Sequence, residues 1–196
     1  MKKIILSILL GLGVYATPWL SGQSPASSWQ FDLAAGTHSI FAPIKNLKYD
    51  HTGLFTQFGV YHHPGSGRQV FSMGIQVGLA KSKSLGDATS AQLIARFTPV
   101  IAKHIELGIG TGVGYRLAGY PGPSLTWDGN DWLKGKKFKG LLQVPVQLSM
   151  GYRSVKFQNI RFSPYVACQV QGVLGYSPDL SFLPVTSYSF GLKIIK

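Results

Sequence analysis

The chain has 196 residues, the length of a single domain, and its 19 Lys and Arg against 7 Asp and Glu give a formal net charge of +12. Only 13% of the residues are charged, against roughly 25% in soluble domains, while 45% are hydrophobic. This composition argues against an ordinary soluble domain, and the single cysteine, Cys168, excludes an intrachain disulfide and a cysteine-rich metal site.

Residues 1–16 have the pattern of a secretory signal peptide. Lys2 and Lys3 precede an apolar run at residues 4–13, and small residues at positions 14 and 16 fit a cleavage site, with Gly22 as an alternative. The run is too short for a single membrane-spanning anchor, which is the competing interpretation. We therefore expect export from the cytoplasm, a linker at residues 17–28 and a domain at residues 29–196.

The basic residues are spread along the chain, apart from one cluster at residues 134–139. A nucleic-acid-binding protein concentrates its positive charge on one patch, and an exported protein rarely meets nucleic acid. We therefore expect no nucleic-acid partner. Anionic outer-leaflet lipid or an acidic protein fits the charge better.

Beyond the linker, eight segments alternate in polarity with a period of two, which is typical of β-strands. They are residues 29–36, 54–61, 70–80, 91–100, 105–117, 141–152, 160–171 and 186–194. No apolar run in this part of the chain reaches the roughly 20 residues that a membrane-spanning helix requires.

The segment at residues 105–117 shows the pattern most clearly. Its odd positions carry bulky residues from Ile105 to Leu117, and its even positions carry four glycines between Glu106 and Arg116. A water-exposed strand face would carry more polar side chains than this. The pattern predicts a small closed barrel whose bulky residues face lipid, while glycines and two charges face the interior.

Other segments are less regular. The alternation at residues 54–61 leaves open which face is which, and a turn is predicted at residues 62–67. Pro99 predicts a strand end or a bulge, and Pro145 predicts a bulge inside the sixth strand, because proline cannot donate a backbone hydrogen bond.

The number of strands and the length of their connections predict the fold class. Eight is an even number, as single-chain bacterial barrels require, and long connections alternate with short ones along the chain. We predict an all-β fold, an eight-stranded antiparallel up-and-down transmembrane β-barrel with short periplasmic turns and longer extracellular loops. The apolar faces of the third, fifth, sixth and seventh strands carry no charged residue.

These features resemble the small eight-stranded outer-membrane barrels, the OmpA-transmembrane and OmpX-like group. The resemblance is greatest to the outer membrane beta-barrel proteins common in Bacteroidota. It covers residues 29–196 and implies location in a bacterial outer membrane. Such barrels usually end in an aromatic residue, whereas this chain ends in Lys196, so Tyr188 or Phe190 would have to serve as the insertion signal.

Inside such a barrel we expect a polar network of Arg96, Glu106, Arg116 and Arg161 with several glutamines. An eight-stranded barrel has room only for side chains, so the network acts as a structural plug. A proton or ion path is the alternative function. We predict no catalytic residue, no cofactor and no metal.

The connection at residues 118–139 is the predicted interaction surface. It carries Trp127 and Trp132 together with Lys134, Lys136, Lys137 and Lys139. These side chains suit contact with lipopolysaccharide phosphates or an acidic partner. The protein would then be a structural or accessory subunit, beside a larger outer-membrane protein complex. The competing interpretation is an interfacial aromatic anchor with a solvated basic loop.

Two other functions are considered. A lipid-modifying hydrolase or acyltransferase at the barrel rim would draw on His38, Ser39, Asp50 and His51. A soluble carrier barrel would turn its apolar stripe inward. The adjacent His62 and His63 point to opposite sides of a strand and lack a third ligand nearby, so a metal site is not expected there.

Overall fold

The computed structural model describes residues 28–39, 53–64, 69–82, 86–101, 104–119, 125–127, 129–135, 137–153, 155–157, 160–176 and 181–195. The predicted signal peptide and residues 17–27 of the linker lie outside these ranges. Within them no helix has the length and apolar character needed to cross a membrane.

The described residues form eight long strands and three short ones. The long strands are β1 (Ser28–Ser39), β2 (Gly53–His63), β3 (Gln69–Lys81), β4 (Ala88–Ile101), β5 (Ile105–Gly119), β8 (Phe138–Tyr152), β10 (Ile160–Leu174) and β11 (Phe182–Ile195). The short ones are β6 (Leu125–Trp127), β7 (Trp132–Lys134) and β9 (Val155–Phe157).

The eight long strands close into one antiparallel barrel. Each pairs with its neighbour in chain order from β1 to β5, then β8, β10 and β11, and β11 pairs back with β1. The strands β6 and β7 form a separate hairpin, and β9 pairs with the first three residues of β10. The predicted fold class, an eight-stranded antiparallel up-and-down barrel, is confirmed.

The strand registers also fix the tilt of the strands. We follow paired residues from strand to strand around the barrel, beginning at Val173 in β10. The path returns to β10 at Ser163, ten residues away, so the shear number of the barrel is ten. The path passes through Val173, Gln143, Gly114, Gln92, Gln76, Gly59, Asp32, Lys193 and Ser163. With eight strands, this shear corresponds to a tilt of about 40° from the barrel axis.

The two faces of the sheet have opposite chemistry. Large apolar side chains on alternate residues are exposed on the outside, as at Leu93, Val113 and Phe190. The residues between them point inward and are mostly Gln, Ser, Gly and charged side chains. In β2, the strand whose phase the sequence left open, Phe55 and Tyr61 point inward.

The two prolines do not produce bulges, which corrects the sequence-based expectation. The registers of β4 with β5 and of β5 with β8 are the same before and after Pro99 and Pro145. The pairing is only interrupted beside each proline, because the ring has no N–H to donate. Thr111 compensates at one of these gaps, since its hydroxyl donates to the carbonyl of Pro145 at 3.1 Å.

The barrel has two distinguishable ends. At the terminus end β1 begins and β11 ends, and the connections are residues 64–68, 102–104 and 153–159. At the loop end the connections are residues 40–52, 82–87, 120–137 and 175–181. The turn predicted at residues 62–67 begins later, because β2 continues through His63.

Candidate functional site

The interior is organised around a central cluster of five buried side chains: Asp32, Tyr61, Gln76, Arg96 and Tyr165. The guanidinium of Arg96 donates to the carboxylate of Asp32 at 2.5 Å and to the side-chain oxygen of Gln76 at 3.0 Å. Tyr165 donates its hydroxyl to the second oxygen of Asp32 at 2.5 Å. The cluster therefore neutralises its only pair of charges internally.

Aromatic and amide groups complete this cluster. Tyr61 donates to the side-chain oxygen of Gln76 at 2.7 Å, and its ring lies under the Arg96 guanidinium at 4.0 Å. Gln76 in turn donates to Gln169 at 3.5 Å, and Gln169 donates to Gln92 at 2.9 Å. A chain of hydrogen bonds therefore crosses the interior, which in an eight-stranded barrel is just wide enough for side chains.

A second cluster, which we call the terminal cluster, lies nearer the terminus end and contains Glu106, Arg153 and Lys193. The ammonium of Lys193 donates to one carboxylate oxygen of Glu106 at 2.9 Å. Arg153, just beyond the end of β8, lies 3.7 Å from the other oxygen. One buried carboxylate is thus shared by two cations.

Arg116 lies nearer the loop end, where it donates to the side-chain oxygen of Gln171 at 3.3 Å. The structure thus places three of the predicted interior residues, Arg96, Glu106 and Arg116, inside the barrel, at separate levels. Arg161 differs from them, because it is only partly buried near the terminus end and its side chain makes no hydrogen bond to another described side chain.

Sequence reasoning did not identify the partners of these charges. The positions of Asp32 and Lys193 in their strands place both residues on the inner face. They do not reveal that Asp32 pairs with Arg96 and that Lys193 pairs with Glu106. Tyr61 and Tyr165 were missed as interior hydrogen-bonding groups, although both occupy inward positions. For Tyr165, its place in the alternation of β10 already predicted an inward side chain.

The predicted interaction surface is only partly described. Lys139 is half-buried and donates to the backbone carbonyl of Tyr176 at 2.9 Å, which joins the beginning of β8 to the connection at residues 175–181. Lys137 is exposed. Lys136 and the side chains of Trp127, Trp132 and Lys134 lie outside the described part of the structure, although the backbones of these last three belong to β6 and β7.

The residues considered for a rim enzyme do not form a described catalytic group. His38 and Ser39 are both buried at the loop end of β1, with 1% and 0% exposure. Asp50 and His51 lie outside the described residues. The ring of His62 lies beside Trp29, whereas His63 points inward, 2.8 Å from the side-chain oxygen of Gln30.

The described residues contain no group of three or more His, Cys, Asp or Glu side chains that could hold a metal ion. In the described part of the chain, the interior holds charged and hydrogen-bonded side chains in fixed positions. A closed eight-stranded barrel with this polar interior and an apolar exterior has the architecture of the small outer-membrane β-barrels.

Comparison with solved structures gives the same fold. The N-terminal β-barrel domain of Pseudomonas aeruginosa OprF matches with a TM-score of 0.50 and 9% identity, over 89% of this chain and 100% of that domain. Neisserial surface protein A has a TM-score of 0.48 and 11% identity, over 86% of this chain and 96% of that protein. No family model and no curated protein matches the chain.

Proposed function

We propose that this protein is a non-enzymatic β-barrel of a bacterial outer membrane, exported by the signal peptide at residues 1–16. In this role it serves as a structural or accessory subunit. The observation that carries the proposal is the continuous apolar exterior around a polar, hydrogen-bonded interior. The earlier resemblance to outer membrane beta-barrel proteins of Bacteroidota is consistent with it.

The exterior suits a lipid environment in length and in charge. The eight barrel strands have 11 to 15 residues, and a tilted strand needs about 9–11 residues to cross the hydrocarbon layer. Among the described outward side chains of these strands the only charge is Lys81, the last residue of β3. A Lys or Arg in the middle of the lipid-facing surface would cost about 2–4 kcal/mol.

The same exterior argues against a soluble carrier. A carrier needs its apolar stripe inside, around the ligand, and its polar face in water. Here the stripe is outside, and the polar side chains of the central cluster and its neighbouring glutamines point into the interior.

The burial of Ser39 argues against a lipid-modifying enzyme. A nucleophile for a lipid ester has to reach the barrel surface, whereas Ser39 is fully buried. If the proposal is right, Ser39→Ala and His51→Ala variants will leave the acylation of lipid A unchanged, as measured by mass spectrometry. A change in acylation in either variant would support the enzyme instead.

We further propose that the basic segment at residues 118–139 binds an acidic surface at the outer face, either lipopolysaccharide phosphates or a larger outer-membrane protein. Four lysines in this segment lie within six positions, and Trp127 and Trp132 in the same segment would supply apolar contact. Lys139 has a separate structural role, because it joins this segment to Tyr176.

Gentle detergent purification of the protein from its native membrane tests this second proposal. We expect lipopolysaccharide or a stoichiometric larger protein to co-purify with it. The triple variant Lys134→Gln, Lys136→Gln and Lys137→Gln should release that partner. A control that removes the same charge at Lys45, Lys48 and Lys81 should retain it. Equal retention by both variants, or a wild-type protein that purifies alone, would contradict the proposal.

A further inference from the structure

A small cavity lies inside the barrel near the loop end. Its polar lining consists of His38, Ser90, Arg116, Gln171 and Ser187, and apolar side chains form the remaining wall. It has room for about one water molecule or an ion of similar size. We call this space the loop-end pocket.

Among the described residues, no negative charge balances that of Arg116 in this pocket. Arg116 is 8% exposed, and no described carboxylate lies within 4.0 Å of it. The other buried cations of the interior, Arg96 and Lys193, both have a carboxylate partner. A buried charge without a counter-charge is costly, so Arg116 creates a strong preference for an anion beside it.

His38 lines the same pocket. It is 1% exposed, and its ring lies against the backbone of Gly53 and Leu54, with no side-chain hydrogen-bond partner among the described residues. Ser90 and Ser187 donate to backbone carbonyls only at 3.5 Å, the upper limit of the hydrogen-bond range. A ligand in this space would receive the imidazole N–H of His38, and the two hydroxyls would turn from these long bonds to donate to it.

We propose that the loop-end pocket binds a small monovalent anion of the size of chloride. The guanidinium of Arg116 supplies the charge, and the imidazole N–H of His38 and the hydroxyls of Ser90 and Ser187 supply hydrogen bonds. The small volume excludes a phosphate or carboxylate group, which needs more room than one water molecule, and leaves a monatomic anion as the candidate. The bound anion neutralises Arg116 as Asp32 neutralises Arg96.

Chloride should therefore stabilise the folded barrel, since a ligand that binds only the folded state shifts the unfolding equilibrium by mass action. The test is urea unfolding of the full mature protein in detergent micelles, in sodium chloride and in sodium gluconate at the same ionic strength. We expect the wild-type midpoint to rise with chloride concentration. The shift should disappear in Arg116→Gln and persist in the control Arg161→Gln, which removes an arginine from the other end of the barrel.

Bromide diffraction tests the site without any substitution, and so decides the question even if Arg116→Gln does not fold. Crystals of the wild-type protein soaked in sodium bromide should show an anomalous peak within hydrogen-bond distance of the Arg116 guanidinium. Bromide found only on the outer surface, or a water molecule alone in the pocket, would overturn the proposal. Identical wild-type unfolding midpoints in chloride and gluconate would overturn it as well.

Discussion

At the scale of single residues, the interior depends on how each charge is neutralised. Asp32 accepts hydrogen bonds from both Arg96 and Tyr165, and all three side chains are buried. Desolvating two charges costs several kcal/mol, which the pair recovers only because its geometry and its additional hydrogen bonds are good. The removal of one partner should therefore be much more harmful than the removal of both.

We predict that Asp32→Ala destabilises the folded barrel by about 3–5 kcal/mol, because it leaves Arg96 as an uncompensated buried charge. The double variant Asp32→Ala with Arg96→Met should recover most of this loss. Urea unfolding measures both effects. If the loss of stability in the double variant equalled the sum of the losses in Asp32→Ala and Arg96→Met measured separately, the broken ion pair would not explain the effect of Asp32→Ala.

Glycines on the inner face allow the strands to approach one another closely. A Cβ atom at Gly112 would overlap the backbone carbonyl oxygen of Leu93, which cannot move without shifting β4. At Gly108 the nearest obstacle is the hydroxyl of Ser149, which can rotate away.

Gly112→Ala should therefore destabilise the barrel by about 1–3 kcal/mol, the usual cost of overpacking. Gly108→Ala serves as a matched control in the same strand, and we expect it to cost clearly less. Denaturant unfolding of the two variants compares them directly. Equal losses would mean that the approach of β4 to β5 does not depend on Gly112.

At the scale of the strands, alternation predicted all eight barrel strands and the direction of the side chains in seven of them, whereas the phase of β2 was left open. The strand ends were predicted less well: β4 begins at Ala88 rather than at residue 91, and β10 extends to Leu174 rather than to residue 171. Hydrogen bonding to the neighbouring strands extends these elements beyond the polarity pattern. The bulges expected at Pro99 and Pro145 are absent for the same reason, because regular pairing on both sides keeps the register.

The position of a charge along a strand should determine its cost in a bilayer. We predict that Val113→Arg, near the middle of β5, destabilises the protein in lipid vesicles by about 2–4 kcal/mol, whereas the cost for Ile105→Arg, at the end of the same strand, is about 0–1 kcal/mol. Both side chains point outward. A similar cost at the two positions would indicate that β5 does not cross a hydrocarbon layer.

At the scale of the whole molecule, closure of the barrel creates the contacts that the sequence alone could not reveal. Asp32 and Arg96 are 64 positions apart, and Gln76 and Gln169 are 93 positions apart. They meet because the shear of ten and the return of β11 to β1 bring separate strands to the same level. Strand parity predicts that a residue faces the interior, but the choice of partner depends on the registers of all eight strands.

The central claim is that the outward apolar face contacts lipid. The direct test uses single-cysteine variants of the chain with Cys168→Ser, reconstituted in vesicles, with a polarity-sensitive fluorophore at Leu93, Val113 or Leu148. A fourth variant carries it at Asp87, in a connection at the loop end, as the control. We predict strong quenching by brominated lipid chains at the three strand positions and weak quenching at Asp87. Quenching by aqueous iodide instead of lipid at Leu93, Val113 and Leu148 would contradict a membrane-spanning barrel.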